Sequence, residues 1–115
     1  MAARRGVVEI RSYRLKPGSG AAFHRLVVDE SIPMLERWGV DVIAFGPSLD
    51  DADLYVLVRG YPSVGELRRS QDAFYGSDEW RDGPREAIVS LIESDISVVI
   101  PAESLPIEET FSAPA

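Results

Sequence analysis

Val7-Val8-Glu9-Ile10-Arg11-Ser12-Tyr13-Arg14-Leu15, followed by Lys16-Pro17-Gly18, is the stretch on which the fold turns. Strict alternation puts Val8, Ile10 and Ser12 on one face of a strand and Val7, Glu9, Arg11, Tyr13 and Leu15 on the other. The first face is apolar; the second mixes rings and charges. Pro17 cannot donate to a ladder and Gly18 tolerates a positive φ, so the strand ends there and an amphipathic helix follows. The helix must fold back over its strand.

That helix is predicted from about Gly20 to Arg37, with Phe23, Leu26, Val27, Met34 and Trp38 on one side and Arg25, Asp29 and Glu36 opposite. Pro33 should kink it and Gly39 should supply a left-handed stop. Two strands follow, Val40 to Phe45 and Leu54 to Tyr61, joined by a hairpin loop over 48–53. Ser63 and Glu66 have the spacing of a capping box, and Leu67 and Phe74 continue the apolar side of the helix it starts, which ends near Gly76. A fresh start at Ser77 or Asp78 carries Trp80. Gly83 breaks it, and Pro84 opens a further helix with Ile88, Val89, Leu91 and Ile92. The last strand is Asp95 to Ile100, halted by Pro101. Residues 1–6 are an extension, 7–100 one domain, and 101–115 an acidic, proline-containing tail that is either a disordered end or an arm on a partner subunit.

Strand, helix, strand, strand, helix, helix, strand is the order of a split βαβ, ferredoxin-like α+β fold, an antiparallel sheet with its helices on one face. Two alternating sets arise. Val8, Ile10, Val42, Ala44, Val56, Val58 and Val98 form the expected helix-side set; Ile43, Phe45, Tyr55, Leu57 and Val99 form the opposite one. Both are apolar, whereas a sheet with one face in water shows polar residues there. The second face therefore predicts a homodimer, two sheets packed into a barrel.

With 115 residues and 45% hydrophobic content, the chain can build one core. A net charge of -7 disfavours nucleic acid as a partner, because affinity for phosphates comes largely from Lys and Arg. The absence of Cys removes disulfides, thiol nucleophiles and cysteine-based metal centres, and a single His cannot make a multi-histidine site, so no metal or cofactor is expected. Met1-Ala2-Ala3-Arg4-Arg5 is not followed by the apolar core of a signal peptide, and no run is long enough to span a membrane. A cytoplasmic protein without membrane attachment is expected.

The stretch from Glu9 to Gly18 resembles the opening E-x-R-x-Y-x-L-K-P-G signature of NIPSNAP domains. Phe45-Gly46, Val56-Leu57-Val58-Arg59-Gly60-Tyr61 and Ser77-Asp78-Glu79-Trp80, which is similar to the family's D-P-E-W turn, extend the resemblance over roughly Val7 to Ile100. Ser77-Asp78 departs from the usual Asp-Pro, and Gly83-Pro84 interrupts what is more often a continuous helix. The resemblance implies a dimeric α+β barrel. It carries little biochemistry, since relatives in the superfamily range from cofactor-free monooxygenases to cyclases; an enzyme of this kind would be a cofactor-free oxygenase, cyclase or isomerase.

His24 is the one side chain that ordinarily titrates near neutrality. At about 100° per residue, His24 and Ser31 lie on nearly one line of the helix, flanked by Leu35 and Trp38 inside the apolar arc. Such a pair either lines a cavity or is satisfied within a packed core. Glu9, Arg11 and Arg59 fall on central strands, where charge is costly unless paired. They make either a salt-bridge network inside the barrel that fixes dimer register, the reading favoured here, or a site for a substrate carboxylate. Tyr13 and Tyr55 supply hydroxyls in either case. Trp80 plugs the turn before the last helix or walls a pocket. Gly18-Ser19-Gly20 lacks the third glycine of a dinucleotide loop, Asp50, Asp51 and Asp53 lack the rest of a calcium loop, and no nucleophile elbow is present. The expectation is a homodimer binding a small apolar or aromatic molecule, with His24 as acid or base, Tyr13 assisting, and Ser31, Trp38, Arg11, Glu9, Tyr55, Arg59 and Trp80 around the ligand. The rival is a scaffold protein whose charges only build the dimer.

Overall fold

A computed structural model of the chain describes residues 5–105. β1 (Val7–Leu15) leads into α1 (Gly20–Leu26), a π turn (Val27–Ser31) and α2 (Ile32–Arg37), which together make one continuous helical rod over 20–37. β2 (Asp41–Pro47) and β3 (Leu54–Tyr61) form a hairpin; α3 (Val64–Tyr75), α4 (Asp78–Asp82) and α5 (Arg85–Val89) follow, and β4 (Ile92–Pro101) closes the sheet. The order is β2-β3-β1-β4, antiparallel throughout. Thus β1 and β3 are central, as the ferredoxin-like order requires.

Local chemistry explains most of the boundaries. Gly39 has φ +78° and ends α2. The Ser63 hydroxyl accepts the Glu66 N–H at 3.0 Å and starts α3. Pro33 does not produce a sharp break; the preceding turn widens instead, with the Ile32 N–H reaching back to the Val27 carbonyl, a π-type bond. The start of α1 is capped from far along the chain. Asp53, in the hairpin loop, accepts the N–H groups of Gly18 at 2.9 Å and Gly20 at 3.0 Å, and a Cβ on Gly20 would lie 1.9 Å from the Ala52 carbonyl oxygen.

The sheet does have two apolar faces, but the helices cover the other one from that expected. Tyr13, Leu15, Tyr55, Leu57 and Tyr61 share the core with Phe23, Val27, Leu35, Phe74 and Trp80. Glu9 and Arg59, cross-strand partners, bond to side chains of α3 and so lie on this side too. The alternate set, Ile10, Val56, Val58, Ile96 and Val98, faces away, with Ile96 69% and Val98 49% exposed. Strand β2 adds a correction of its own. The register shifts between Val42 and Ala44, so Val42 pairs with Arg59 while Ala44 pairs with Val58. This bulge sends to opposite faces two residues that simple alternation puts on one.

The last strand starts three residues earlier than expected, at Ile92, and Leu91 and Ile92 are not helical. Leu91 instead gives its carbonyl to Lys16 N–H at 2.9 Å, pinning the strand start to the end of β1. Ala102 N–H bonds to Gly6 O at 3.0 Å, so the chain stays on β1 just past Pro101. The disordered-or-arm question for the rest of the tail falls on residues 106–115, outside the described part. No helix among the described residues is long and apolar enough to cross a membrane.

Candidate functional site

Between the sheet and the helices lies a partly open cavity of about 250 Å³. Arg11 and Tyr13 of β1, and Tyr55 and Leu57 of β3, form its floor; Val27 and Ser31 come from the π turn, Tyr75 from the end of α3 and Trp80 from α4. Ile88, Val89 and Ile92 complete an apolar wall, and Arg85 and Asp95 stand exposed at the edge. The widened π turn therefore has a local use: it carries Ser31, buried, into the cavity wall.

The expected residues divide. Arg11, Tyr13, Ser31, Tyr55 and Trp80 line the cavity; His24, Trp38, Glu9 and Arg59 do not. His24 sits one layer back, its Nδ1 2.6 Å from the Tyr55 hydroxyl. It meets the cavity only through that tyrosine. The tautomer of His24 decides whether Tyr55 donates to Nδ1 or accepts from it. Trp38 is on the outside, where its indole N–H donates to Glu79 Oε1 at 2.9 Å and its ring packs edge-on against Phe74. Trp38 is the C-cap of α2, past the last helical residue Arg37, where helical periodicity no longer sets the direction of a side chain.

Behind the cavity floor, Glu9 and Arg59 are 1% and 0% exposed. Glu9 Oε1 accepts from Arg59 Nη2 at 2.7 Å, Arg59 Nε at 3.1 Å and Gln71 Nε2 at 2.9 Å. Oε2 accepts from Arg11 Nη2 at 2.8 Å and the Ser97 hydroxyl at 2.7 Å. Burial alone would favour the neutral acid; Arg59, the Ser97 hydroxyl and Arg11 outweigh it and hold the Glu9 pKa below the usual carboxylate value. Arg59 Nη1 donates to the Tyr75 hydroxyl at 2.8 Å, which ties the buried pair to a residue of the cavity wall. This network sits under the chain's own helices. It is not on the open face of the sheet, which corrects the expectation of a charge network inside a dimer barrel.

Burial, followed by the neighbouring Tyr75, pushes the Tyr13 pKa up to about 12, and burial with Tyr13 nearby does the same for Tyr55. Both phenols stay protonated at neutral pH and present hydroxyls, not phenolates. Sequence reasoning missed Tyr75 and Gln71. An arginine inside a strand requires partners beyond one carboxylate, and polar residues on the inner face of the next helix were the signal for them. Among the described residues, no cluster of His, Asp and Glu could hold a metal ion.

No protein-family model matches the chain, and no curated protein matches it. Solved structures do. A NIPSNAP family protein from Agrobacterium tumefaciens superposes with a TM-score of 0.76 at 19% identity, over 88% of this chain and 89% of that one. The chain has the NIPSNAP fold. A NIPSNAP-like domain protein from Burkholderia xenovorans matches with a TM-score of 0.76 at 22% identity, over 96% of this chain and 90% of that one. A protein described as a putative antibiotic biosynthesis monooxygenase, from Bordetella bronchiseptica, matches with a TM-score of 0.67 at 20% identity, over 84% of this chain and 96% of that one. At these identities the NIPSNAP likeness is one of fold, and it carries no reaction with it.

Proposed function

We propose that this NIPSNAP-fold protein is a cytoplasmic homodimer that binds a small, largely apolar molecule in the cavity between its sheet and helices. The observation that carries the reading is the cavity's composition: aliphatic and indole walls with the Tyr13, Tyr55 and Ser31 hydroxyls among them. Apolar volume with a few placed polar groups is the usual make-up of a ligand site. The neutral phenols of Tyr13 and Tyr55 orient an oxygen of the ligand, and His24 fixes the Tyr55 hydroxyl through its 2.6 Å contact. In catalysis, His24 would act as the proton reservoir behind Tyr55, with Tyr55 the group that touches substrate. A scaffold whose charges serve only the dimer is disfavoured, because Glu9, Arg11 and Arg59 are turned away from the open sheet face.

A metabolite screen by thermal shift tests this. Compounds that bind the cavity raise the melting temperature of the wild-type chain, since ligand binding to the native state stabilises it by mass action. They lose that effect in Val27→Phe, which fills the space with an added ring. Hits indifferent to the filled cavity would place binding elsewhere, and no hits from a broad set of small apolar metabolites would remove the proposal.

A further inference from the structure

Among the described residues, Arg11 is the one guanidinium that both lines the cavity and belongs to the buried charge network. Its Nη2 is engaged by Glu9 Oε2 at 2.8 Å and, more weakly, by Gln71 Oε1 at 3.4 Å. Its Nε is buried and has no hydrogen-bond partner among the described residues, although the side chain keeps 19% of its surface accessible. That Nε is closed to any molecule in the cavity, so the accessible surface belongs to the rest of the side chain. What the cavity offers a ligand is charge. Arg59 and Arg11 share the single carboxylate of Glu9, so the floor of the cavity carries a positive charge in excess. Arg85 and Asp95 at the edge are opposite in sign and exposed, and Asp95 forms no ion pair with Arg11 among the described residues. The Tyr75 ring lies under the guanidinium, its centroid 6.0 Å from Cζ, and lines the cavity together with Arg11.

Resting on the cavity being a ligand site, we infer that its ligand is a small organic acid: an aromatic or branched apolar body against Trp80, Ile88 and Val27, with one carboxylate or similarly acidic oxygen on Arg11. The hydroxyls of Tyr13 and Tyr55 complete the polar end. A carboxylate answers the excess charge, and a charge-assisted bond to the accessible part of the guanidinium is stronger than a neutral one. A neutral amide of the same shape leaves that charge uncompensated.

The test uses 1-naphthoate and its neutral isostere 1-naphthamide as probes, titrated into the full chain and followed by calorimetry and by the two indole N–H signals in NMR spectra. The acid should bind about tenfold or more tightly than the amide. Its addition should move the Trp80 signal and leave that of Trp38, outside the cavity, in place. Arg11→Met should abolish the difference between the probes, by weakening the acid more than the amide. Should Arg11→Met fail to fold, Arg11→Lys retains the charge without the planar fork and should keep a reduced preference for the acid. Equal binding of acid and amide to the wild type, with Trp80 shifted, would overturn the acid inference and leave the ligand site standing. Failure of both probes to bind would overturn the inference together with the site. An acid preference undiminished in either variant would remove Arg11 as its cause.

Discussion

Glu9 is an acid made permanent by its neighbours. Because its folded pKa lies below the unfolded one, its stabilising contribution is fully present above the ordinary glutamate range. That contribution is lost as pH falls through the depressed folded value. Glu9→Gln leaves Arg59 buried without a counter-charge, and breaking a buried pair from one side costs about 3–5 kcal/mol. Urea denaturation at pH 7 should show that loss, and the gap between variant and wild type should narrow in strongly acidic solution, where the wild-type carboxylate is protonated as well. A gap independent of pH would mean that shape, not charge, is what Glu9 provides. The network was half legible in the sequence: charges on central strands demanded partners, but Gln71, Tyr75 and Ser97 came from elements whose packing no spacing could give.

The elements themselves were legible because each carries its own punctuation: Pro17-Gly18 ending β1, Gly39 ending α2, Ser63 opening α3. Which side of the sheet they cover was not. Alternation sorts residues into two sets without saying which meets the helices, and here the set containing Glu9 and Arg11 is the buried one because α3 brings Gln71 and Tyr75 to satisfy it. A bulge at β2 then breaks alternation within a single strand. Helix α4 offers a direct check of local chemistry. Its cap, the Ser77 hydroxyl, accepts the Trp80 N–H at 3.2 Å and donates to the Phe74 carbonyl at 2.6 Å, linking α3 to the short turn that sets Trp80 in the cavity wall. Ser77→Ala should cost about 1 kcal/mol in chemical denaturation and broaden the Trp80 indole signal while sparing that of Trp38. Unchanged stability and line shape would show that packing alone holds the turn.

For the whole molecule, the open face of the sheet is the outstanding surface. Ile96 and Val98 lie exposed on it beside the partly buried Ile10 and Val56, and in the proposed homodimer a second copy offering the same face would be the self-complementary cover that a two-fold pair supplies. Sedimentation velocity at micromolar concentration should give twice the chain mass, and Val98→Asp should return the monomer with its secondary structure intact. A wild-type monomer would end the dimer proposal. One contact reaches across the chain's own fold in a different sense. Asp53 belongs to the hairpin loop yet secures the amides that begin the helix carrying His24, and the Ala52 carbonyl rests where only a glycine leaves room. Surface loops ordinarily tolerate added residues. This one acts as a spacer gauge: lengthening it would lift the start of the helix off the sheet and carry the His24–Tyr55 contact with it, so the loop's length is under the same constraint as the floor of the cavity.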